Sequence, residues 1–271
     1  MRAWASSWLG VMRPPPQVSA ESRPSSAVHR LYLEIGAGDG WCLVHSPDLP
    51  GVGFKAVSRE AALALAPGAL LAELDWARRA GVGEMSGPMA VAGEVTLDVP
   101  AAAGDTEATF EPDLEPLDDP YLGFGLRYLD ASRAALLGLI GRLPSSYLDW
   151  RAAVGKRTLG EVIGHISDAD AFYLVRLEGQ AEAGRDLWPR YAGRDLGLGP
   201  VERVCRTREL ALERLGRLTP ADRRRIVERD PHAETWTARK VLRRLVWHER
   251  YHTRQIEDYL TTAETPRAPR A

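Results

Sequence analysis

The segment from Thr237 to about Leu260 constrains the fold of this chain most strongly, because it combines a helical apolar pattern with two histidines. His248 and His252 are four residues apart, so at about 3.6 residues per turn they lie on one face of a helix. Leu245 continues that face, which is typical of a helix packed on a core. Two imidazoles so placed can bind one metal ion between them. The segment therefore predicts a core helix with a pair of metal ligands.

The same residues spell His-Glu-x-x-His, the pattern of zinc proteases. A protease of that type needs a third ligand further along the chain, and no histidine follows His252. Glu249 is also rotated by about 100° from His248 around the helix, so it does not face the same ion. The sequence therefore argues against a protease.

A third histidine, His165, occupies an apolar stripe of another predicted helix, which begins at Thr158 and ends near Gly179. Thr158 and Glu161 have the spacing of a capping box. A single histidine on such a stripe is usually a hydrogen-bonded core or rim residue. Three imidazoles that meet in a core are satisfied together by a divalent metal, which keeps an open position for water or substrate. We therefore predict a metal site formed by His165, His248 and His252.

The remaining histidines, His29, His45 and His232, fall in a predicted strand, at a strand end and in a loop. Their pattern predicts polar side chains at the protein surface and gives no reason to assign them to a site.

The bulk composition narrows the classes of partner and the compartment. The formal net charge of -2 over 271 residues does not suggest a general nucleic-acid or membrane-surface binder. Only Cys42 and Cys205 are present, far apart, which fits a reducing cytosol. No apolar run approaches the ~20 residues that cross a bilayer. We therefore expect a cytoplasmic protein with no membrane or nucleic-acid partner.

The first half predicts a small α+β domain over residues 28–100, after a disordered extension over residues 1–27. Period-two alternation, turn residues and a Ser58 cap predict the order β-β-β-α-β. The helix is expected to reach about Arg79, with an interruption at Pro67–Gly68.

An acidic, proline-containing stretch over residues 101–119 predicts a linker and a domain boundary. Residues 120–262 show four amphipathic helical stripes, which predict a four-helix bundle, and residues 263–271 predict a disordered tail. The predicted fold class is thus multidomain, α+β followed by all-α.

The first half resembles the HicB-like fold. The residues that carry the resemblance are Tyr32–Ile35, Trp41–Val44, Pro47–Gly51 and Ser58–Ala62. The resemblance implies a sheet with a helix on one face, often an interaction or dimer-forming module, and it leaves a HicA-like toxin open as a partner. No DNA-binding signature follows residue 100, so it does not extend to an antitoxin.

The second half resembles the DinB-like superfamily, which includes YfiT-type and mycothiol-dependent enzymes. The matching segments are Arg157–Ala169, Trp236–Leu242 and His248–Ile256. The resemblance implies a four-helix bundle, a homodimer, and a divalent ion, zinc or nickel, held by one histidine from one helix and a His-x-x-x-His from another. The family often has a further histidine where this chain has Arg244.

The resemblance also implies a transferase that activates a low-molecular-weight thiol, of the mycothiol or bacillithiol type, toward a small electrophile. Arg176 and Arg254 are candidates for binding substrate carboxylates, or they form salt bridges. Asp168 is a candidate to orient a histidine ligand, or it is a surface residue. No residue is assigned as catalytic. The alternative is a non-catalytic, metal-stabilised binding or stress-response module.

Overall fold

The computed structural model describes residues 28–83, 85–101, 108–153, 155–178, 188–229 and 234–264. The predicted disordered extension over residues 1–27 and the residue His232 lie outside this part. The disordered tail was predicted to begin at residue 263, but the last helix extends to Glu264, which corrects the predicted boundary. Residues 265–271 lie outside the described part.

The N-terminal half is a four-stranded mixed sheet with one helix. Its elements are β1 (His29–Ile35), β2 (Cys42–His45), β3 (Gly53–Ala56), α1 (Arg59–Arg79) and β4 (Met89–Thr96). The strand order is β3-β2-β1-β4, with β1 antiparallel to β2 and parallel to β4. The predicted element order β-β-β-α-β is confirmed.

Helix α1 begins as the sequence predicts, since the Ser58 side chain accepts a hydrogen bond from the Ala61 amide at 3.1 Å. The predicted interruption at Pro67–Gly68 is wrong, because α1 runs through both residues. Both are exposed, so water can hydrate the Leu63 carbonyl that Pro67 leaves without a donor.

The C-terminal half is mainly helical. Its long helices are α2 (Asp119–Ile140), α3 (Leu159–Val175), α4 (Pro200–Gly216) and α5 (Ala238–Glu264). Helix α3 packs on α4 and α5, and α2 packs on α5. The predicted capping box is present, because Thr158 and Glu161 each bind the other's backbone amide. A short hairpin, β5 (Val227–Arg229) and β6 (Glu234–Trp236), precedes α5 and was not predicted, since strands of three residues show no period.

The two halves share one apolar core. The largest cluster of buried side chains joins Leu31 and Val44 of the sheet to Leu242 and Leu245 of α5. Helix α5 therefore packs against the sheet as well as against the other helices.

The predicted linker is packed against α5. Asp113, in a 3-10 turn over Glu111–Leu114, is buried and accepts two hydrogen bonds of 2.7 Å from the Arg243 guanidinium. Phe110 is also buried, and its ring stacks on Tyr32 with centroids 4.7 Å apart. The acidic character of this segment arises partly from pairing with a basic helix, so residues 108–119 do not form a free linker.

His29 and His45 are buried, which corrects their prediction as surface residues. His45 lies on the inner strand β2, 3.4 Å from a carboxylate oxygen of Glu34. Its ring stacks on Trp247 of α5 with centroids 4.9 Å apart. Burial is the main cause that lowers the pKa of His45, to about 4. His45 therefore belongs to the contact between the sheet and α5.

Candidate metal centre

The structure brings the three predicted histidines together in one compact group. His165 projects from α3, and His248 and His252 project from one face of α5. One candidate ligand atom from each residue lies within 4.8 Å of the others. Nε2 of His165 and Nε2 of His248 are 3.2 Å apart. The described residues contain no other such group of three histidine, cysteine or acidic residues.

The spacing of these nitrogens fits a divalent metal. Two imidazole nitrogens bound to zinc at ~2.0–2.1 Å with tetrahedral angles are separated by about 3.3 Å. The 3.2 Å between His165 and His248 is close to that value. Three neutral nitrogens would complete a site with one further open position.

Gln255 fixes the tautomer of His252. The side-chain oxygen of Gln255 lies 2.7 Å from Nδ1 of His252, and an amide oxygen can only accept a hydrogen bond. Nδ1 of His252 therefore carries the proton, and Nε2 keeps its lone pair for a metal. The Gln255 amide nitrogen donates to the Tyr259 hydroxyl at 2.9 Å, so both ends of the amide are hydrogen-bonded.

Burial keeps the two α5 histidines neutral. It is the largest cause that lowers the pKa of His248 well below its ordinary value. Burial likewise lowers the pKa of His252 to about 3. Because a metal ligand must be the neutral imidazole, both residues are ready to bind near neutral pH.

Arg244 lies one helical turn before His248 and contacts aromatic side chains. Its guanidinium donates to the Tyr173 hydroxyl at 3.0 Å and lies over the Trp247 ring, 4.7 Å from its centroid. The Tyr173 ring in turn packs edge-on against His248. Arg244 thus supports the aromatic wall beside the histidines.

Glu249 points away from the histidines into a buried charge cluster that the sequence did not reveal. It accepts hydrogen bonds from Arg133 of α2 at 2.7 Å and from Arg208 of α4 at 3.0 Å. Arg133 also donates to Asp170 of α3 at 3.1 Å. Burial raises the pKa of Asp170 to about 6. All four helices contribute one side chain each, so the glutamate of the protease-like motif ties the helices together.

A cleft of about 640 Å³ opens beside His165. The residues that line it are Leu148, Asp149, Arg157, Thr158, Gly160, Glu161, Gly164, His165, Asp168, Arg194, Pro200 and Arg203. The Asp168 carboxylate binds the guanidinium groups of Arg194, at 2.5 and 3.0 Å, and of Arg203. Asp168 therefore pairs with arginines at the wall of the cleft rather than with a histidine.

The two arginines predicted to bind substrate have structural partners. Arg176 lies 3.3 Å from Glu234 and stacks on the Phe172 ring, 3.2 Å from its centroid. Arg254 donates to Glu73 of α1 at 2.8 Å and to the Gly53 carbonyl at 2.6 Å. These contacts correspond to the salt-bridge alternative, and a role in substrate binding stays a prediction.

The fold and the site define a class of protein, namely a helical protein with a compact three-histidine centre between two of its helices. The family model of the DinB superfamily matches residues 128–256, so this region of the chain is similar to that superfamily. The match begins inside α2 and includes all three histidines. Searches among curated proteins and among solved structures found no match for the chain.

The N-terminal half lies outside the matched residues, and its HicB-like resemblance stays a prediction. In the described part of the chain, no helix is both long and apolar enough to span a membrane.

Proposed function

We propose that this protein binds a divalent metal ion, zinc or nickel, through His165, His248 and His252 in a four-helix bundle of the DinB type. The observation that carries the proposal is the convergence of three imidazole nitrogens within 4.8 Å. The match of this region to a superfamily that commonly binds metal supports it.

The residues around the histidines have distinct tasks in this proposal. Gln255 holds the proton on Nδ1 of His252, so that Nε2 faces the ion. The cleft beside His165 gives a small molecule access to the centre. The buried ion pairs of Glu249 hold the four helices in register, which keeps the histidines converged.

We further propose that the centre serves a thiol S-transferase. When bound, a divalent ion lowers the pKa of a coordinated thiol or water and so supplies a nucleophile at neutral pH. A low-molecular-weight thiol and a small electrophile are then the two substrates. The cleft volume of about 640 Å³ is within the range of ordinary small-molecule sites.

A non-catalytic, metal-stabilised module is the second candidate. The observation that favours it is the placement of α5, which contacts the sheet, α2 and α3 at once. A metal that joins α3 to α5 would then act mainly on stability, as structural zinc does.

Metal analysis tests the centre itself. We expect close to one equivalent of zinc or nickel in purified wild-type protein and a large loss in the His165→Ala/His248→Ala variant. His232→Ala is the matched control, since it removes a histidine that the proposal does not use. Equal metal content in wild type and double variant would refute the metal centre.

A thiol-consumption assay separates the two candidates. Metal-loaded protein is incubated with mycothiol, bacillithiol or glutathione and a panel of small electrophiles, and free thiol is measured over time. Turnover that disappears in the double variant supports the transferase. If metal raises the melting temperature while no thiol is consumed, the module is favoured.

A further inference from the structure

Helix α1 has an uncharged face toward solvent. Between Glu60 and Glu73 the helix contains no charged residue, and Glu73 itself is buried. Leu65 and Leu71 lie on the solvent side and are 55% and 67% exposed. The solvent side of α4 is different, because it carries the charged residues Arg206, Glu209 and Glu213. An apolar face of this kind on a surface helix is typical of a contact surface.

The exposed leucines flank a line of small residues. At about 100° per residue, Ala64, Gly68 and Ala72 follow one another along the middle of this face, and all three are exposed. Leu65 lies on the same side of this line as Ala72, and Leu71 lies on the same side as Ala64. A second helix of this sequence, placed antiparallel, therefore offers a small residue to each leucine, so the two faces are complementary in shape.

The beginning of α1 carries an excess of negative charge. The Nε atom of Arg59 donates to the Glu94 carboxylate of β4 at 2.8 Å, so the charge of Arg59 is balanced. The neighbouring Glu60 is exposed. These three side chains together leave one net negative charge at the start of the helix.

The end of α1 carries an excess of positive charge. Arg78 and Arg79 share the carboxylate of Asp75, at 2.6 and 3.2 Å, so one net positive charge remains. Glu60 and Arg78 are separated by about five full turns, so they lie on the same side of the helix. A second copy of the helix in the reverse direction therefore has its positive end beside the negative end of the first.

We infer that α1 is the contact surface for a second copy of this chain, packed antiparallel across a two-fold axis near Gly68. Leu65 of each protomer then packs on Ala72 of the partner subunit, and Glu60 pairs with Arg78 of the partner subunit. Every contact occurs twice, so the pair closes as a dimer and does not extend into a filament. The surface lies outside the residues that resemble the DinB superfamily, and the inference does not depend on the metal centre.

The size of the face predicts a weak dimer. Helix α1 has 21 residues, so its face is about 31 Å long and roughly 10 Å wide. An interface of standard size buries about 800 Å² on each partner. One helix face supplies less than that area, so we expect a dissociation constant of about 10–100 μM.

Sedimentation velocity of the full chain, over a concentration series that brackets this dissociation constant, tests the inference. We expect the wild type to shift from monomer to dimer as its concentration rises. The Leu65→Glu/Leu71→Glu variant should associate at least about 100-fold more weakly, because it places charges in the apolar contact. Both leucines are exposed in the protomer, so this variant should fold as the wild type does, and circular dichroism checks that it has.

The matched control places the same two charges on exposed leucines away from α1. Leu114 and Leu196 are 48% and 51% exposed. The Leu114→Glu/Leu196→Glu variant should therefore dimerise as the wild type does. It separates the loss of a specific contact from the general repulsion that added negative charge causes.

Charge reversal tests the antiparallel arrangement. In Glu60→Arg two positive charges meet at each end of the dimer, and in Arg78→Glu two negative charges meet there. Each variant alone should therefore associate about tenfold more weakly than the wild type. An equal mixture of the two variants restores opposite charges at both ends, so it should recover the affinity of the wild type.

Three results would overturn the inference. The first is a wild type that stays monomeric at every concentration. The second is equally tight dimerisation of the wild type and of Leu65→Glu/Leu71→Glu, because another surface then forms the dimer. The third is a mixture of Glu60→Arg and Arg78→Glu that associates no more tightly than either variant alone.

Discussion

At the scale of single residues, the centre depends on one neutral side chain that faces His252. The Gln255 oxygen lies 2.7 Å from Nδ1 of His252, and Tyr259 holds the amide of Gln255 in place. Without this acceptor the imidazole could rotate or place its proton on Nε2, and the ligand atom would be lost. In the proposed centre, metal affinity would therefore depend partly on a residue that does not itself bind the metal.

We expect Gln255→Leu to weaken zinc binding by about 10- to 100-fold, because the orienting acceptor is lost. A competition titration with a chromophoric zinc chelator measures the change. Gln255→Glu keeps an acceptor at this position and should bind zinc at least as tightly as Gln255→Leu does. Unchanged affinity in Gln255→Leu would show that packing alone orients His252.

The convergence of the three histidines could be predicted from the sequence, because the four-residue spacing of His248 and His252 places both on one helix face. A pair at i and i+4 on an apolar face favours a common partner, and His165 also lies on a core stripe. The DinB-like resemblance implies the full set of one histidine from one helix and two from another. His45 was not recognised as buried, because a strand of four residues does not show which side is covered. Its covering residue, Trp247, lies about two hundred positions away along the chain.

At the scale of secondary-structure elements, different faces of α5 contact different parts of the protein. One face carries His248 and His252 toward α3, and the Trp247 side packs on β2. Glu249 enters the cluster shared with α2, α3 and α4. Arg250 pairs with Glu73 of α1 through two hydrogen bonds of 2.9 Å. The many arginines of α5 would suggest a face exposed to solvent. The helix is nevertheless buried along most of its length.

We expect Glu249→Gln to lower the free energy of unfolding by about 3–5 kcal/mol, because it leaves Arg133 and Arg208 buried without their shared carboxylate. Urea denaturation followed by circular dichroism measures the loss. The control is Glu257→Gln, an exposed position on the same helix, with an expected change of less than about 0.5 kcal/mol. An equal effect of both substitutions would contradict the role of the cluster.

The close approach of β3 to α5 predicts a steric effect. A Cβ atom added at Gly53 would overlap the Trp247 indole, whereas one added at Gly68 in α1 meets no neighbour within 4 Å. We expect Gly53→Ala to destabilise the fold by about 1–3 kcal/mol. Gly68→Ala should stabilise it by about 0.5–1 kcal/mol, since alanine is favoured in a helix interior. Thermal denaturation of the two variants compares the signs directly.

At the scale of the whole molecule, the sequence overestimated the independence of the two halves. The prediction of a linker rested on proline and acidic residues. Acidic residues, however, also pair with arginines when a segment packs against a basic helix. Asp113 and Glu73 meet their arginines only in the folded chain. No local period reports such a contact, so the order of strands and helices along the chain was accessible from the sequence, whereas the contacts between the two halves were not.

The buried Glu73 makes stability depend on pH. Its arginine partners lower its pKa in the folded state despite burial, so its contribution is present above the unfolded pKa of ~4.3 and is lost as pH falls through the folded value. Asp170, with a pKa raised to about 6, acts oppositely and favours the fold as pH falls toward 4.

We therefore expect Glu73→Gln to reduce stability at pH 7 by about 3–5 kcal/mol and to flatten the loss of stability below pH 5. Urea denaturation at a series of pH values measures both effects. If wild type and variant lose stability in parallel as the pH falls, the acid sensitivity arises elsewhere.

Helix α5 is synthesised after every element that it packs against. A chain emerges from the ribosome with its N-terminal part first. The sheet, α1, α2 and α3 are therefore exposed before the helix that covers them, and neither their shared core nor the three-histidine centre can close until α5 has emerged. Binding of the proposed metal ion and the final step of folding therefore become possible at the same stage of synthesis.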